Sequence, residues 1–261
     1  MLLRLAAATL MFGFAMPAEA QPRAATQLSY GVYAAGLNVL LLDAKVALTK
    51  EDYRVDVKFR TAGMFGLFFP VELDSLAEGG WNGAAPLPRR YASGGLSRGK
   101  VRRTAIDFQA GQPVLRELVP PDDDEHLPVL PGEERDGIDT LSAMAYLVRS
   151  VTSTGGCDGR ARLFDGRRVI DIIARTAGRE TLQREDRSMF HGPAVRCDFE
   201  GRQLAGYVKS ENDAERHRVH VSQAWLAEVV PGQPALPVRI VFETRFFGFA
   251  TAYLTAATPA R

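Results

Sequence analysis

Over most of this chain, apolar and polar residues alternate with a period of two. Tyr53, Val55, Val57 and Phe59 are interleaved with Arg54, Asp56, Lys58 and Arg60, the pattern of a strand with one face on a core and one in water. Residues 28–35 and 37–49 read as two strands broken at Gly36. Further strands are expected at 72–78, 89–96, 100–109 and 114–118, separated by turns rich in Gly, Asn and Pro. Residues 159–174 form the clearest hairpin. Asp165-Gly166 is a type I′ turn signal, and pairing across it puts Ala161 and Leu163 on one face with Ile170 and Ile172, with Arg160 opposite Asp171 on the other. A second hairpin is expected around Glu200-Gly201, with Cys197 on its first strand. Strands at 217–229, 237–244 and 246–256 complete the set.

One stretch departs from this pattern. In residues 138–151, Leu141, Met144, Ala145, Val148 and Val151 recur at helical spacing and make a single apolar stripe. Asp139 or Thr140 is placed to cap the first turn, and Gly155-Gly156 ends the helix. A lone amphipathic helix among strands needs a sheet to lie on. The fold class expected is therefore mainly β: a curled antiparallel sheet or open β-barrel with one principal α-helix packed on it. Before the helix, residues 120–135 carry Pro120, Pro121, Pro128, Pro131 and the acidic run Asp122-Asp123-Asp124-Glu125, which reads as a long surface loop.

The first twenty residues read as a targeting segment. Arg4 precedes an apolar run over 5–14, and Ala18-Glu19-Ala20 is a small-x-small cleavage site. Cleavage there leaves Gln21 first, so an amino-terminal lipid anchor on cysteine is not expected. The rest, residues 21–261, is read as one exported β-rich domain without linker or repeat. A formal charge of +1 lacks the basic excess that phosphate-backbone binding needs, which argues against nucleic acid as a partner. No stretch after the signal is long and apolar enough to span a bilayer as a helix, and a monomer is expected. In an oxidising compartment Cys157 and Cys197 are expected to form a disulfide, since no CxxC spacing points to a metal.

Candidate catalytic motifs fare poorly. Gly95-Leu96-Ser97-Arg98-Gly99 matches the GxSxG pattern, but that chemistry needs a strand-to-helix turn, and a strand follows here. The glycine-rich run from Gly94 to Lys100 has Val101 where a phosphate loop needs Ser or Thr. His126, His191, His217 and His220 include no HExxH, and on a strand His217 and His220 would face opposite sides. The acidic run lacks the spaced ligands of an EF-hand. No enzyme activity, metal or cofactor is expected.

Two phenylalanine clusters are more informative. Phe65, Phe68 and Phe69 lie in an uncharged run flanked by Arg60 and Pro70; Phe246, Phe247 and Phe249 form the second. They are read as core packing or, functionally, as residues that line an apolar cavity or touch lipid. On the second reading Phe65, Phe68, Phe69, Phe246 and Phe247 are the candidate ligand-binding residues.

Four phrases, Phe59-Arg60-Thr61-Ala62-Gly63, Leu87-Pro88-Arg89-Arg90-Tyr91, Asp139-Thr140-Leu141-Ser142-Ala143 and Phe164-Asp165-Gly166-Arg167-Arg168, resemble in content and order the bacterial exported family known as domain of unknown function 3108. The resemblance runs from about Leu28 to the C-terminus. It implies a periplasmic cell-envelope protein of a Gram-negative bacterium with a curled antiparallel sheet, and it carries over no catalytic residue. The expected function is non-catalytic binding of a lipid or other apolar envelope component. The competing expectation is a structural or interaction module with a fully packed core, whose partner is another envelope protein.

Overall fold

The computed structural model describes residues 25–121, 125–244 and 248–260. The targeting segment, Asp122, Asp123 and Asp124, and Phe246 and Phe247 lie outside the described residues. The first half of the chain is a meander: β1 (Ala25–Ala34), β2 (Leu37–Leu48), β3 (Asp52–Thr61), a short helix α1 (Gly63–Phe68), β4 (Val71–Asn82), β5 (Ala85–Ser97), β6 (Lys100–Gln109) and β7 (Gln112–Val119). Next come β8 (Gly137–Ile138) and the principal helix α2 (Thr140–Thr154). The second half continues with β9 (Gly159–Phe164), β10 (Val169–Leu182), β11 (Gly192–Ala205), α3 (Asp213–Arg216), β12 (His220–Glu228), β13 (Ala235–Thr244) and β14 (Gly248–Ala260).

All fourteen of these strands belong to one sheet, in the order β7-β6-β5-β4-β3-β2-β1-β14-β13-β12-β11-β10-β9-β8. Every pairing is antiparallel except that of the two-residue β8 with β9. The last strand returns to the first, so the two meanders share a seam at β1–β14 and grow away from it in opposite directions. Twist and curl then bring the free edges back toward each other. Where they meet, Gln112 and Asp136 exchange hydrogen bonds at 2.8 and 3.0 Å. Beside them Ile106 on β6 packs with Phe164, Val169 and Ala205 from β9, β10 and β11. The result is a nearly closed barrel.

Inside it lies α2. Alternation sends one row of each strand inward, and the row Cys197–Ala224–Ile240–Ala252–Val32 crosses five strands in register. The alanines in that row leave room for a helix. On one flank Leu147, Val148 and Val151 join the large cluster built from β1, β2 and β11–β14. On the other, Ala145 packs with Tyr53 and Val55 of β3, with Trp81 beside them. The helix is thus enclosed on two sides rather than laid on one, and the single stripe expected from the sequence is too narrow. Ser142 and Leu147 are buried along with Ala145, Val148 and Val151, whereas Met144 and Leu141 are only half-buried. Asp139 caps the start by accepting from the Ser142 amide, and Gly155 ends it in the left-handed conformation at φ 73°.

Three expectations need correction. The 165–168 connection is a four-residue loop in which the Asp165 carboxylate accepts the Arg167 and Arg168 amides at 2.9 and 2.8 Å, not a two-residue I′ turn. The register is consequently displaced by two residues: Leu163 pairs Ile170, Ala161 pairs Ile172, and Asp171 faces Arg162 instead of Arg160. A shift of two preserves the face, so the apolar side was assigned correctly while the charge pair was not. There is no hairpin at Glu200-Gly201, because β11 runs straight through it from Gly192 to Ala205. His217 caps the end of α3 rather than standing on a strand with His220.

Candidate ligand-binding site

Between α2 and the inner face of β9–β13 the packing is incomplete. A half-open cavity of about 180 Å³ remains, walled by Ala143, Met144 and Leu147 on the helix and by Ala161, Ile172, Ala174, Phe199, Ala224 and Ile240 on the strands. Its origin is visible in the residue sizes. Met144 and Leu147 project from one helix face at i and i+3, and the sheet opposite offers Ala161, Ala174 and Ala224, whose methyl groups do not reach across. The surface it presents is almost entirely apolar, although Thr140, Tyr146, Ser150, Arg160 and Ser222 also stand on its walls. Burying a ligand's apolar surface here contributes about 25 cal/mol for each Å² removed from water.

The helix end of this cavity is tied covalently. Cys157 and Cys197 form a disulfide with Cα atoms 6.1 Å apart, joining the segment after α2 to the inward row of β11. Cys157 is 4% exposed and Cys197 fully buried. The Thr176 hydroxyl accepts the Cys157 amide at 2.8 Å, while the Asp158 carboxylate accepts that hydroxyl and the Thr176 amide. These bonds hold the Asp158 carboxyl below the usual carboxylate range.

The start of the helix is fixed by a buried chain of hydrogen bonds. The Tyr53 hydroxyl donates to Ser142 Oγ at 2.7 Å, and Ser142 Oγ donates to Asp139 Oδ2. Asp139 has no exposed surface. Burial pushes its pKa up to about 6, against the opposing hydrogen bonds from Ser142. Burial likewise drives the Tyr53 hydroxyl well above its ordinary range.

Of the phenylalanines singled out in the sequence, the described ones, Phe65, Phe68, Phe69 and Phe249, do not line this cavity. Phe65, Phe68 and Phe69 belong to α1 and the residue after it, a helix with no buried residue. Phe68 is 74% exposed, Leu67 80% and Met64 77%, and the rings of Phe65 and Phe69 stack at 5.0 Å. Core packing is therefore not their role. Phe249, half-exposed, is the second residue of β14. Register places it at the same end of the sheet as α1 and exposed Leu37, since Ala34 pairs Ala250 and Leu40 pairs Thr61. The residues that do line the cavity were signalled in the sequence only indirectly. Phe199 lies two residues beyond Cys197 on one strand, so fixing the cysteine inward fixes the phenylalanine inward as well.

Ser97 ends β5 in a tight hairpin whose central residues, Arg98 and Gly99, both have positive φ. It is not on a strand-to-helix turn. Among the described residues no three His, Cys, Asp or Glu side chains are grouped to hold a metal, and no helix is long and apolar enough to cross a membrane.

The family described as "Protein of unknown function (DUF3108)" matches residues 27–255. No curated protein sequence matches. Among solved structures, a beta-barrel-like protein of domain of unknown function DUF1849 from Brucella abortus superposes with a TM-score of 0.52. The two share 9% identity, and the match covers 91% of this chain and 98% of the other. At that identity the likeness is one of fold.

Proposed function

Because the chain belongs to the DUF3108 family, whose function is unknown, its role has to be read from its own geometry, and we propose that it is an exported, periplasmic carrier or receptor for an apolar or amphiphilic envelope component. The carrying observation is the apolar cavity between α2 and β9–β13. Its volume of about 180 Å³ is close to that of dry engineered cavities of about 150 Å³ that accept benzene. The ligand portion enclosed is therefore a single ring or a short length of one acyl chain, with the remainder outside the half-open mouth. The buried disulfide agrees with export to an oxidising compartment.

Organic extraction of the purified protein followed by mass spectrometry should recover a bound apolar compound, and a fluorescent fatty-acid probe should bind and be displaced by it. Ala161→Phe fills the cavity from β9. It should abolish probe uptake while the variant still unfolds cooperatively near the parent melting temperature. Equal probe binding by parent and variant, or no uptake by either, would sink the reading.

A second reading, interaction with another envelope component through a surface, draws on the exposed α1 patch. There Phe65, Phe68 and Phe69 would serve as contacts with lipid rather than as cavity walls.

A further inference from the structure

At the carboxyl end of α2 a second pocket, of about 290 Å³, opens beside the β4–β5 turn. Tyr146 and Ser150 stand on the walls of both this pocket and the apolar cavity, so the two spaces adjoin. Tyr146 marks the boundary between them. A methyl carbon added at Gly159, which lines the cavity, would stand 3.7 Å from both the Cε1 atom and the hydroxyl oxygen of the tyrosine. Across this boundary the lining changes character, and Ser153 and Thr154 follow Ser150 along the helix.

The hydrogen bonds of those hydroxyls decide what they can receive. Ser150 donates to the Gly156 carbonyl at 2.9 Å, Ser153 to the Arg149 carbonyl at 2.8 Å and Thr154 to the Ser150 carbonyl at 2.8 Å. Each has committed its one hydrogen to backbone carbonyls at the end of α2 and keeps its oxygen as an acceptor. The Tyr146 hydroxyl has no hydrogen-bond partner among the described residues, and can donate as well as accept.

The charges select in the same sense. The pocket is lined by one cation, Arg149, and one carboxylate, Asp158. Arg149 is engaged, lying 4.2 Å over the Trp81 ring and donating to the Gly83 carbonyl at 3.4 Å. Asp158 accepts the Thr176 hydroxyl and amide but still carries its charge, and the helix presents its partially negative end here. An anionic head would meet acceptors and negative charge. A head bearing hydroxyls supplies the hydrogens that Ser150, Ser153 and Thr154 lack. We propose that this pocket is the headgroup subsite of the α2 cavity, and that its ligand is an amphiphile with an uncharged, hydroxyl-rich head, of the glyceride or glycoside type. The assignment rests on the cavity reading above and specifies it, with the chain between α2 and β9–β13 and the head at the carboxyl end of the helix.

Displacement of the neutral fluorescent probe N-phenyl-1-naphthylamine from the full chain tests it, using four compounds that share an octyl chain: octyl glucoside, octanol, octylamine and octanoate, each below its micelle concentration. Octyl glucoside should bind at least about tenfold tighter than octanol or octanoate, and tighter than octylamine, whose charge falls beside Arg149. Tyr146→Phe/Ser153→Ala keeps the aromatic ring and removes two head contacts. It should weaken octyl glucoside by about tenfold, leave octanol unchanged and melt like the parent, since Tyr146 is half-buried and Ser153 exposed. Octanol binding as tightly as octyl glucoside, a preference for octanoate or octylamine, or equal glucoside affinity in parent and double variant overturns the headgroup assignment and leaves the cavity reading standing. Absence of binding by all four overturns both.

Discussion

Tyr53 on β3 donates its hydroxyl to Ser142 on α2 across 89 residues of sequence. This bond fixes the rotation of the helix inside the barrel. The ring of Tyr53 is held between Trp81, at 4.8 Å between centroids, and the backbone at Gly79, where an added methyl carbon would stand 2.6 Å from the Leu87 carbonyl oxygen as well as against the tyrosine ring. Glycine is therefore required at 79 by contact, not by backbone conformation. Gly79→Ala should destabilise by about 1–3 kcal/mol through overpacking. Tyr53→Phe, which keeps the ring and loses one buried hydrogen bond, should cost about 1 kcal/mol. Urea midpoints of the two variants check this, and a smaller loss for Gly79→Ala than for Tyr53→Phe would contradict the packing argument.

The same chain of bonds makes stability depend on pH in an unusual direction. Asp139 titrates near 6 in the folded protein because burial disfavours its charged form, whereas an unfolded aspartate titrates near 3.9. Between those values the folded state holds a proton that the unfolded state has released. Stability from this group therefore falls as pH rises from about 4 to about 6, by up to roughly 3 kcal/mol. The lowered carboxyls of Asp165, Glu180 and Glu243 act in the other direction, but their contribution is lost only as pH drops below the ordinary carboxylate range. Asp139→Asn keeps an acceptor for the Ser142 amide and removes the charge. Its denaturation midpoint should be flatter than the parent's between pH 4.5 and 6.5, and parallel curves would refute the assignment.

The disulfide contributes by a different route, through the unfolded chain. Its cysteines are 40 residues apart, and in the chain-entropy account closing such a loop is worth about 4 kcal/mol. Cys157→Ala/Cys197→Ala should lower the melting temperature by roughly 8–16 °C for a chain of this size. Because both sulfurs are buried, reductant should act on the native protein only as fast as it opens. A melting temperature unchanged in the double variant would mean that α2 is held without the tie.

The strands were legible because half-buried strands write their own period: Tyr53 and Val55 are buried and Lys58 and Arg60 exposed, as the alternation requires. The helix was legible for a similar reason, with Asp139 and Gly155 marking its ends. Closure was harder to read. Nothing local in Gln112 or Asp136 announces that the two edge strands meet, and the enclosure of α2 follows from that closure. This is why Met144, read from periodicity as core, instead lines a cavity. Met144→Asp consequently meets solvent in part, whereas Val148→Asp, at a position 1% exposed, should be the variant that fails to fold. Continuous β11 was misread because Glu200-Gly201 looks like a turn, and only its neighbours β10 and β12 override that preference.

The α1 patch offers the sharpest separation between folding and function. A helix with three side chains at least 74% exposed, Met64, Leu67 and Phe68, contributes little to the core. Leu67→Ser/Phe68→Ser should thus change stability by no more than about 0.5 kcal/mol. If the patch touches lipid, flotation with phosphatidylcholine vesicles should be reduced severalfold in this variant. That loss should not depend on salt, because α1 itself carries no charge and apolar insertion is not screened. If the patch instead docks an envelope protein, vesicle flotation will be absent in the parent as well. A variant that floats like the parent would remove α1 from any role at a membrane.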